Sequence, residues 1–505
     1  MSVVLAVWLG YLLATPLSYS QLVIYGLVTL ILVFPILLRW HYPLLLLSWN
    51  LTVVVFFLPG HPSLCLLMIA MSLGISVLQQ LISRGGRFIS VPQITLPLFG
   101  ILVVIAFTAE LTGWGLRSFG SEVYGGKKYV YLVGGILGYF ALSAQQIPLQ
   151  RKNLYLGLFF LGGITAFIGD IFPWLPKWTY FIYAAFTYNG YFYFSTNTLE
   201  GESARFTGAV GTSLAVIFYM LARYGFRGIF LAGKPWRWVI LLIFPIYGLL
   251  GGFRGFVVMV GLTFAILFFL QGMHRTRLFP IFILTGFLGG LALIPLAPHL
   301  PYTFQRALAF LPLKIDPVAR ADAQESLDWR LQMWDALMPQ VPQYLLLGKG
   351  YVISPLDYDF VMGPEASIHT AFAQNQGLAL AEDFHNGPLS IIIPFGIWGA
   401  IVFLWFLFAG IRVLYANYRY GDPELQTANS FLLAAFIAQA IFFLLIYGDL
   451  STDMLKFCGL LGLSVSLNGG MRRRVHATTA GRELAKARSF FVPRAPVPAF
   501  QRQRR

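Results

Sequence analysis

The chain is a succession of apolar runs, each near the twenty or so residues that a helix needs to cross the hydrocarbon of a bilayer. Hydrophobic residues make up 58% of the sequence and charged residues 11%, whereas soluble domains carry about 25% charged residues. Polar residues gather between the runs and do not alternate within them, which is typical of a helical bundle and not of a membrane barrel. We therefore predict an all-α polytopic membrane protein with about fourteen transmembrane helices. The predicted spans are 2–18, 21–38, 42–59, 62–82, 92–112, 129–148, 153–173, 208–224, 236–252, 255–271, 279–297, 388–411, 427–447 and 451–468.

The basic residues predict the orientation of these spans. They concentrate in one alternating set of connections and in the tail, and short loops rich in lysine and arginine stay on the cytoplasmic side. Both termini are therefore predicted to be cytoplasmic, in a multi-pass protein of the inner (cytoplasmic) membrane. The first run has no basic start, so we interpret it as an anchor, although it and the second run also fit one re-entrant pair. The basic residues of the cytoplasmic set are Arg39, Arg84, Arg87, Arg151, Lys152, Arg223, Arg227, Lys234, Arg237, Arg275, Arg277, Arg412 and Arg419.

The spans and their connections divide the chain into four parts. A first transmembrane part (1–297) precedes one large loop region (298–386), predicted to lie on the opposite, periplasmic side. The last spans (387–470) and a basic tail (471–505) follow. The tail is rich in proline and predicts a disordered segment attracted to anionic membrane lipids. Its charge does not indicate nucleic-acid binding, because no binding fold accompanies it.

Two outward regions carry candidate functional residues before the large loop. Residues 174–207 are rich in aromatic side chains, which are typical of an interfacial belt and also fit a platform for sugar rings. Arg205 stands at the end of this region. Arg254 lies between two spans, flanked by glycines that allow close backbone approach. Such an arginine either reaches lipid phosphate or packs against another anionic group.

The large loop is too long for a plain connector. Within it, 326–338 predicts an amphipathic helix with Ser326 as N-cap. Its apolar face would consist of Leu327, Leu331, Trp334 and Met338, with Arg330 at the edge. Such a helix could also lie on the membrane with its arginine paired to lipid.

The loop ends at His385, directly before an apolar span. Histidine exchanges a proton near neutral pH, so a base here would stand close to several arginines. A reaction outside the cytoplasm has no nucleotide available, and the sequence holds neither a phosphate-binding P-loop nor a dinucleotide fingerprint. A synthetic step there needs a donor already activated and carried in the membrane. A lipid diphosphate sugar meets that need, since arginines would stabilise its diphosphate leaving group and histidine would take the acceptor proton.

These segments, in this order, resemble the O-antigen ligase and O-antigen polymerase superfamily of bacterial membrane glycosyltransferases. The resemblance extends over about 200–410. It is carried by Arg205 in ESARFTGAVG, by Arg254 in GGFRGF, by Arg330 in DWRLQMW followed by LLLGKGY, and by His385 in FHNGPL leading into a span with FGIWG.

The resemblance implies a metal-independent, inverting glycosyltransferase without a cofactor, acting in surface polysaccharide biosynthesis. Its partners would be an undecaprenyl diphosphate-linked glycan as donor and a glycan or lipid A-core as acceptor, at a periplasmic active site. Carried onto this sequence, His385, Arg254 and Arg330 would be catalytic. The predicted substrate-binding residues are Arg205, Asn386 and Trp334.

Three questions remain open at this point. A polymerase extends a lipid-linked glycan and a ligase moves the finished polymer to another acceptor, and the two share this chemistry. A transporter or flippase of lipid-linked oligosaccharides is the alternative from another class, but it would place ionisable groups near mid-membrane, where only Asp453 and Lys456 are candidates. Asp357 and Asp359 form an acidic pair of the kind that holds divalent ions, although isolated pairs in polar loops are common.

Overall fold

The computed structural model describes residues 19–56, 58, 60–82, 88–116, 125–171, 174–186, 205–353 and 384–473. Within these ranges the chain is helical, and the β-structure consists of two isolated bridges. Eight helices of this part are long and apolar enough to cross a membrane, and two shorter apolar helices accompany them. This supports the predicted all-α multi-pass class, while the predicted number of fourteen spans is not confirmed.

The helices follow the apolar runs of the sequence from residue 64 onward. Because a bilayer offers backbone groups no hydrogen-bond partners, each run satisfies its own amides as a helix. The principal helices are α1 Tyr19–Ser48, α2 Leu64–Ile82, α3 Pro92–Thr112, α4 Gly126–Ser143, α5 Lys152–Leu161 (continued by Gly162–Ala166 and Phe167–Asp170), α6 Thr207–Phe230, α7 Pro235–Leu249, α8 Arg254–Leu270, α9 Leu278–Leu296, α10 Tyr302–Ala307, α11 Pro317–Leu337, α12 Gly387–Tyr420, α13 Gln426–Leu445 and α14 Leu450–Asn468.

Helix α1 differs from the prediction. It is continuous through 38–42, where the sequence predicts a connection between two spans, and it ends at Ser48. The described residues from 49 to 60 are not helical, so the predicted span 42–59 is wrong. His41, the buried polar residue in this stretch, bonds through Nδ1 to the Ser72 hydroxyl at 2.9 Å and lies 3.3 Å through Nε2 from the Gln145 amide nitrogen. Since Ser72 and Gln145 satisfy the imidazole, the helix does not have to end there to reach water.

The core of the bundle is held together by close packing at glycines. A Cβ at Gly135 of α4 would lie 3.0 Å from the Leu455 backbone nitrogen of α14, and one at Gly462 would lie 2.8 Å from the Leu142 side chain. Small residues let helix axes approach, which is how helices associate in lipid. The apolar stretch 279–299, which includes most of α9, differs from this core. None of the residues in its most apolar part is buried. This stretch therefore lies on the surface of the bundle.

The helix of the large loop starts earlier than the sequence analysis predicts. Helix α11 begins at Pro317, and the Asp316 carboxylate accepts a hydrogen bond of 2.8 Å from the Val318 amide. Ser326 lies in its third turn, so the prediction of Ser326 as N-cap is wrong. Proline at the first helical position and an acidic cap one residue earlier are a stronger start than an internal serine.

The buried face of α11 also differs from the predicted one. Leu327, Leu331 and Met338 are exposed. The face turned toward the bundle consists instead of Ala319, Asp322, Ala323, Ser326, Trp329, Arg330, Met333, Trp334 and Leu337. This face repeats at helical spacing and mixes small, polar and aromatic residues.

Candidate functional site

The candidate site lies at one end of the bundle, where α6, α8 and α12 begin and α13 turns into α14. Helix α11 packs across this end. Arg205 precedes α6, and Arg254 is the first residue of α8. The Phe206 amide donates to the Leu250 carbonyl at 3.3 Å, which joins the two segments through their backbones. Gly252 has a φ of +68°, so the turn before Arg254 needs a residue without a Cβ.

Asp322 accepts hydrogen bonds from three side chains of this site. Its Oδ2 accepts from Arg306 Nε at 2.6 Å, from the Tyr302 hydroxyl at 2.8 Å and from Arg205 Nη2 at 2.9 Å. Arg306 is 8% exposed, and its Nη1 donates to the Gly252 carbonyl at 2.9 Å. This buried guanidinium thus connects α11 to the turn that presents Arg254.

These contacts shift the pKa values of Asp322 and Tyr302. Burial by itself raises the pKa of the Asp322 carboxyl, but Arg306, Tyr302 and Arg205 together lower that pKa by more, so it lies below its usual range. Burial and the hydrogen bond to Asp322 raise the pKa of Tyr302 to about 12. Asp322 is therefore a carboxylate, and Tyr302 a phenol, at any physiological pH.

Arg254 and Arg330 face the same space without a carboxylate of their own among the described contacts. Arg254 interacts electrostatically with Arg330 and Arg306, both of like charge, and with the opposite charge of Asp322. Burial lowers the pKa of the Arg330 guanidinium and the charge of Arg306 lowers it further, against an opposing effect of Tyr447. The Arg330 Nε is buried and makes no hydrogen bond within the described part of the chain. Among the described residues, four guanidinium groups here meet one carboxylate, that of Asp322, which leaves an excess of three positive charges suited to an anion.

His385 contacts two aromatic rings, and one of them, that of Tyr447, also contacts Arg330. Its ring centroid is 5.4 Å from that of Trp329 and 5.0 Å from that of Tyr447. Its φ is +48°, a left-handed conformation that residues other than glycine adopt at a cost. Strained backbone at such a position is found mostly at functional sites, where the surrounding structure holds it.

Trp334 and Asn386 hold the backbone on both sides of His385. The Trp334 indole N–H donates to the Phe384 carbonyl at 2.8 Å. The Asn386 side-chain oxygen accepts from the Leu389 amide at 3.1 Å and caps α12. The described polar contacts of both side chains are therefore internal. Their predicted role in binding substrate stays a prediction.

The glycine-rich motifs predicted from the sequence form one backbone junction. Gly348 and Gly350 both have positive φ, a backbone conformation that favours glycine. The Lys349 and Gly350 amides donate to the Ile393 and Pro394 carbonyls at 2.8 and 2.9 Å. Gly396 interrupts α12 with a φ of +62°. The Ile397 amide of the FGIWG segment donates to the Leu345 carbonyl at 2.6 Å. The LLLGKGY segment thus binds the first half of α12, whose first turn follows His385.

The sequence patterns do not single out four residues of this site: Asp322, Tyr302, Trp329 and Tyr447. The wrong start of α11 hid Asp322, because a helix from Ser326 excludes it. A helix from Pro317 places Asp322 seven and eight residues before Trp329 and Arg330, on the same face. Tyr447 had no local pattern, since only the packing of α13 and α14 brings it to His385.

Some predicted features lie outside the described residues. These are the first span, Asp357 and Asp359, most of the aromatic region before Arg205, and the basic tail after residue 473. Among the residues that are described, no group of three or more histidine, cysteine or acidic side chains is arranged to hold a metal ion.

The fold and the site define a multi-pass helical membrane protein that gathers arginines and a histidine at one end of its bundle. In a comparison with protein families, the model described as O-antigen ligase matches residues 238–404. This match confirms the resemblance to the O-antigen ligase and polymerase superfamily, and it supports a membrane glycosyltransferase of that general type. It spans Arg254, Arg330 and His385, while Arg205 and Tyr447 lie outside it. No curated protein matches the chain.

Proposed function

We propose that this protein transfers a glycan from undecaprenyl diphosphate to an acceptor hydroxyl on the periplasmic side of the inner membrane. The observation that carries the proposal is the excess of three positive charges, counted over the described residues, at Arg205, Arg254, Arg306 and Arg330. Arg330 contacts the Tyr447 ring, which also contacts His385. A diphosphate ester is an anion with a charge of similar size. The cluster therefore fits the group that departs in the reaction.

In the proposed step, the acceptor oxygen forms a bond to the anomeric carbon of the donor. The bond between that carbon and the diphosphate oxygen breaks, and the electron pair leaves with undecaprenyl diphosphate. The His385 imidazole takes the acceptor proton. A single displacement of this kind inverts the anomeric centre and needs no metal, because guanidinium groups stabilise the developing charge.

The arginines divide into two groups in this scheme. Arg306 is committed to Asp322 and to the Gly252 carbonyl, so it is a positioning residue. Arg254 and Arg330 bind the diphosphate, and Arg205, which shares Asp322, contributes at the edge of the site. Since Arg254 and Arg330 repel each other when the site is empty, an anion between them relieves that repulsion.

The transporter alternative requires ionisable groups near mid-membrane. The buried Asp453 is paired to Lys456 at 2.8 Å, and both lie in the first two turns of α14. They stand at the same end as His385, not midway along a helix. This placement favours chemistry at one surface over alternating access.

The proposal is tested with purified protein in proteoliposomes, given an undecaprenyl diphosphate glycan and an acceptor. His385→Ala should lower turnover by at least about 100-fold, the contribution typical of a general base. Arg254→Ala should also abolish transfer. Arg320→Ala is the matched control, because Arg320 lies on α11 but is exposed and donates to the Leu313 carbonyl. Full turnover of either site variant contradicts the mechanism.

Polymerase and ligase are separated in a deletion strain. Loss of a polymerase leaves single repeat units on the lipid carrier, whereas loss of a ligase leaves long polymers on it. Glycan analysis of the accumulated lipid-linked material therefore decides the acceptor class.

A further inference from the structure

Tyr447 contacts both of the groups to which the proposed function gives separate tasks. Its ring centroid is 5.0 Å from that of His385, with the planes inclined by 30°. The guanidinium carbon of Arg330 is 5.7 Å from the same Tyr447 ring centroid. One aromatic side chain thus touches the residue proposed as base and a residue proposed to bind the diphosphate.

The segment that carries Tyr447 is fixed by close backbone packing. The Ile446 and Tyr447 amides both donate to the Phe442 carbonyl at 2.9 Å, which closes the end of α13. A Cβ on Gly448 would lie 2.9 Å from the Cα of Gly387, the second residue after His385. The loop between α13 and α14 is therefore held directly against the start of α12.

A second link holds the same two elements together. The Leu450 amide at the start of α14 donates to the Ser390 hydroxyl of α12 at 3.1 Å. Through these contacts the Tyr447 ring has a fixed place relative to His385. Arg330, by contrast, comes from α11, which packs on this end from the large loop.

We propose that Tyr447 is a positioning residue, which sets the distance between the His385 imidazole and the Arg330 guanidinium. This role rests on the proposed function. The Tyr447 ring contacts the imidazole and attracts the guanidinium by a cation–π contact. The acceptor hydroxyl at the base and the diphosphate at the arginine must be held in line for displacement. Tyr447 holds the imidazole and the guanidinium at a fixed distance from each other. The aromatic ring of Tyr447, not its hydroxyl, makes the contacts that do this.

If the ring has this role, the kcat values of three Tyr447 variants should follow a specific order. Tyr447→Phe keeps both ring contacts and should retain kcat within about twofold. Tyr447→Ala removes both, and a displaced base should lower kcat by about 10- to 100-fold, as misplacements near 1 Å do. The donor KM should rise by less than kcat falls, because Arg254 and Arg205 still bind the diphosphate. Tyr447→Leu fills the space without an aromatic face and should resemble Tyr447→Ala.

The experiment measures kcat and donor KM in proteoliposomes for these three variants, for wild type and for His385→Ala. Tyr420→Ala is the control, because Tyr420 is exposed at the opposite end of α12. Each variant is first checked for a single monodisperse species, and Tyr447→Leu replaces Tyr447→Ala where the latter does not fold.

Wild-type kcat in Tyr447→Leu or Tyr447→Ala overturns the inference, provided that His385→Ala has lost transfer. A Tyr447→Phe variant as slow as Tyr447→Ala also overturns it, since the hydroxyl would then be the acting group. If His385→Ala itself keeps full turnover, the proposed function fails, whatever the Tyr447 variants do.

Discussion

Replacing Asp322 by asparagine should destabilise the protein at neutral pH and leave it nearly unchanged at acid pH. The substitution keeps the size of the side chain and removes its charge. It leaves Arg306, 8% exposed, without the carboxylate that accepts from its Nε at 2.6 Å. Arg205 and Tyr302 lose the same partner.

The expected loss of unfolding free energy depends on how exposed the Arg306–Asp322 ion pair is. Breaking a fully buried ion pair costs about 3–5 kcal/mol, and exposed pairs contribute about 1 kcal/mol or less. The Arg306 side chain is 10% exposed and that of Asp322 29%, so water screens the carboxylate in part. We expect a loss of about 2 kcal/mol of unfolding free energy.

The pH dependence follows from the lowered pKa of Asp322. A carboxyl whose pKa is lower in the folded state contributes stability above its unfolded-state pKa, and that contribution is lost as pH falls through the folded-state pKa. Wild type should therefore melt above Asp322→Asn at neutral pH, and the difference should shrink on acidification. The assay is thermal unfolding in detergent across this pH range. Asp328→Asn, on the exposed face of α11, is the matched control.

Two results would refute this reasoning. A melting difference that stays constant with pH means that the charge of Asp322 is not what stabilises the fold. An unchanged melting temperature at neutral pH means that Arg306 does not depend on this carboxylate.

Three further predictions can be checked with the same preparations. Gly387→Ala should abolish folding or transfer, because its Cβ would lie 2.1 Å from the Phe443 carbonyl oxygen. Gly261→Ala should be tolerated, because a Cβ there would have no atom within 4 Å. Expression and turnover are measured for both variants. Trp334→Phe removes the 2.8 Å bond to the Phe384 carbonyl, and a loss near 1 kcal/mol should lower kcat about fivefold. Chelators should leave turnover unchanged, and dependence on an added divalent ion would contradict the proposed mechanism.

The sequence predicts the helices of this protein well because lipid imposes a simple rule on each apolar run. The rule fails where polar groups find partners inside the bundle. Helix α1 continues through His41 because Ser72 and Gln145 satisfy its imidazole. Contacts of this kind depend on helices distant in sequence, and no local pattern reveals them.

The sequence indicates some of the ionisable residues of the site, but it does not indicate which residues they contact. Arg254 and His385 stand out in the sequence because each adjoins an apolar span and a glycine. Asp322 and Tyr447 do not stand out, since one is an ordinary acid within a polar helix and the other a tyrosine near a span end. Only tertiary packing gives them their places, the first among three donors and the second between an imidazole and a guanidinium.

The central claim is that His385 acts on the acceptor proton while Arg254 holds the donor. It is tested most directly by measuring donor binding and transfer separately on the same variants in proteoliposomes. His385→Ala should bind the undecaprenyl diphosphate donor within about twofold of wild type and fail to transfer it, whereas Arg254→Ala should lose both. Transfer at the wild-type rate by His385→Ala, or unchanged donor binding by Arg254→Ala, would contradict the account.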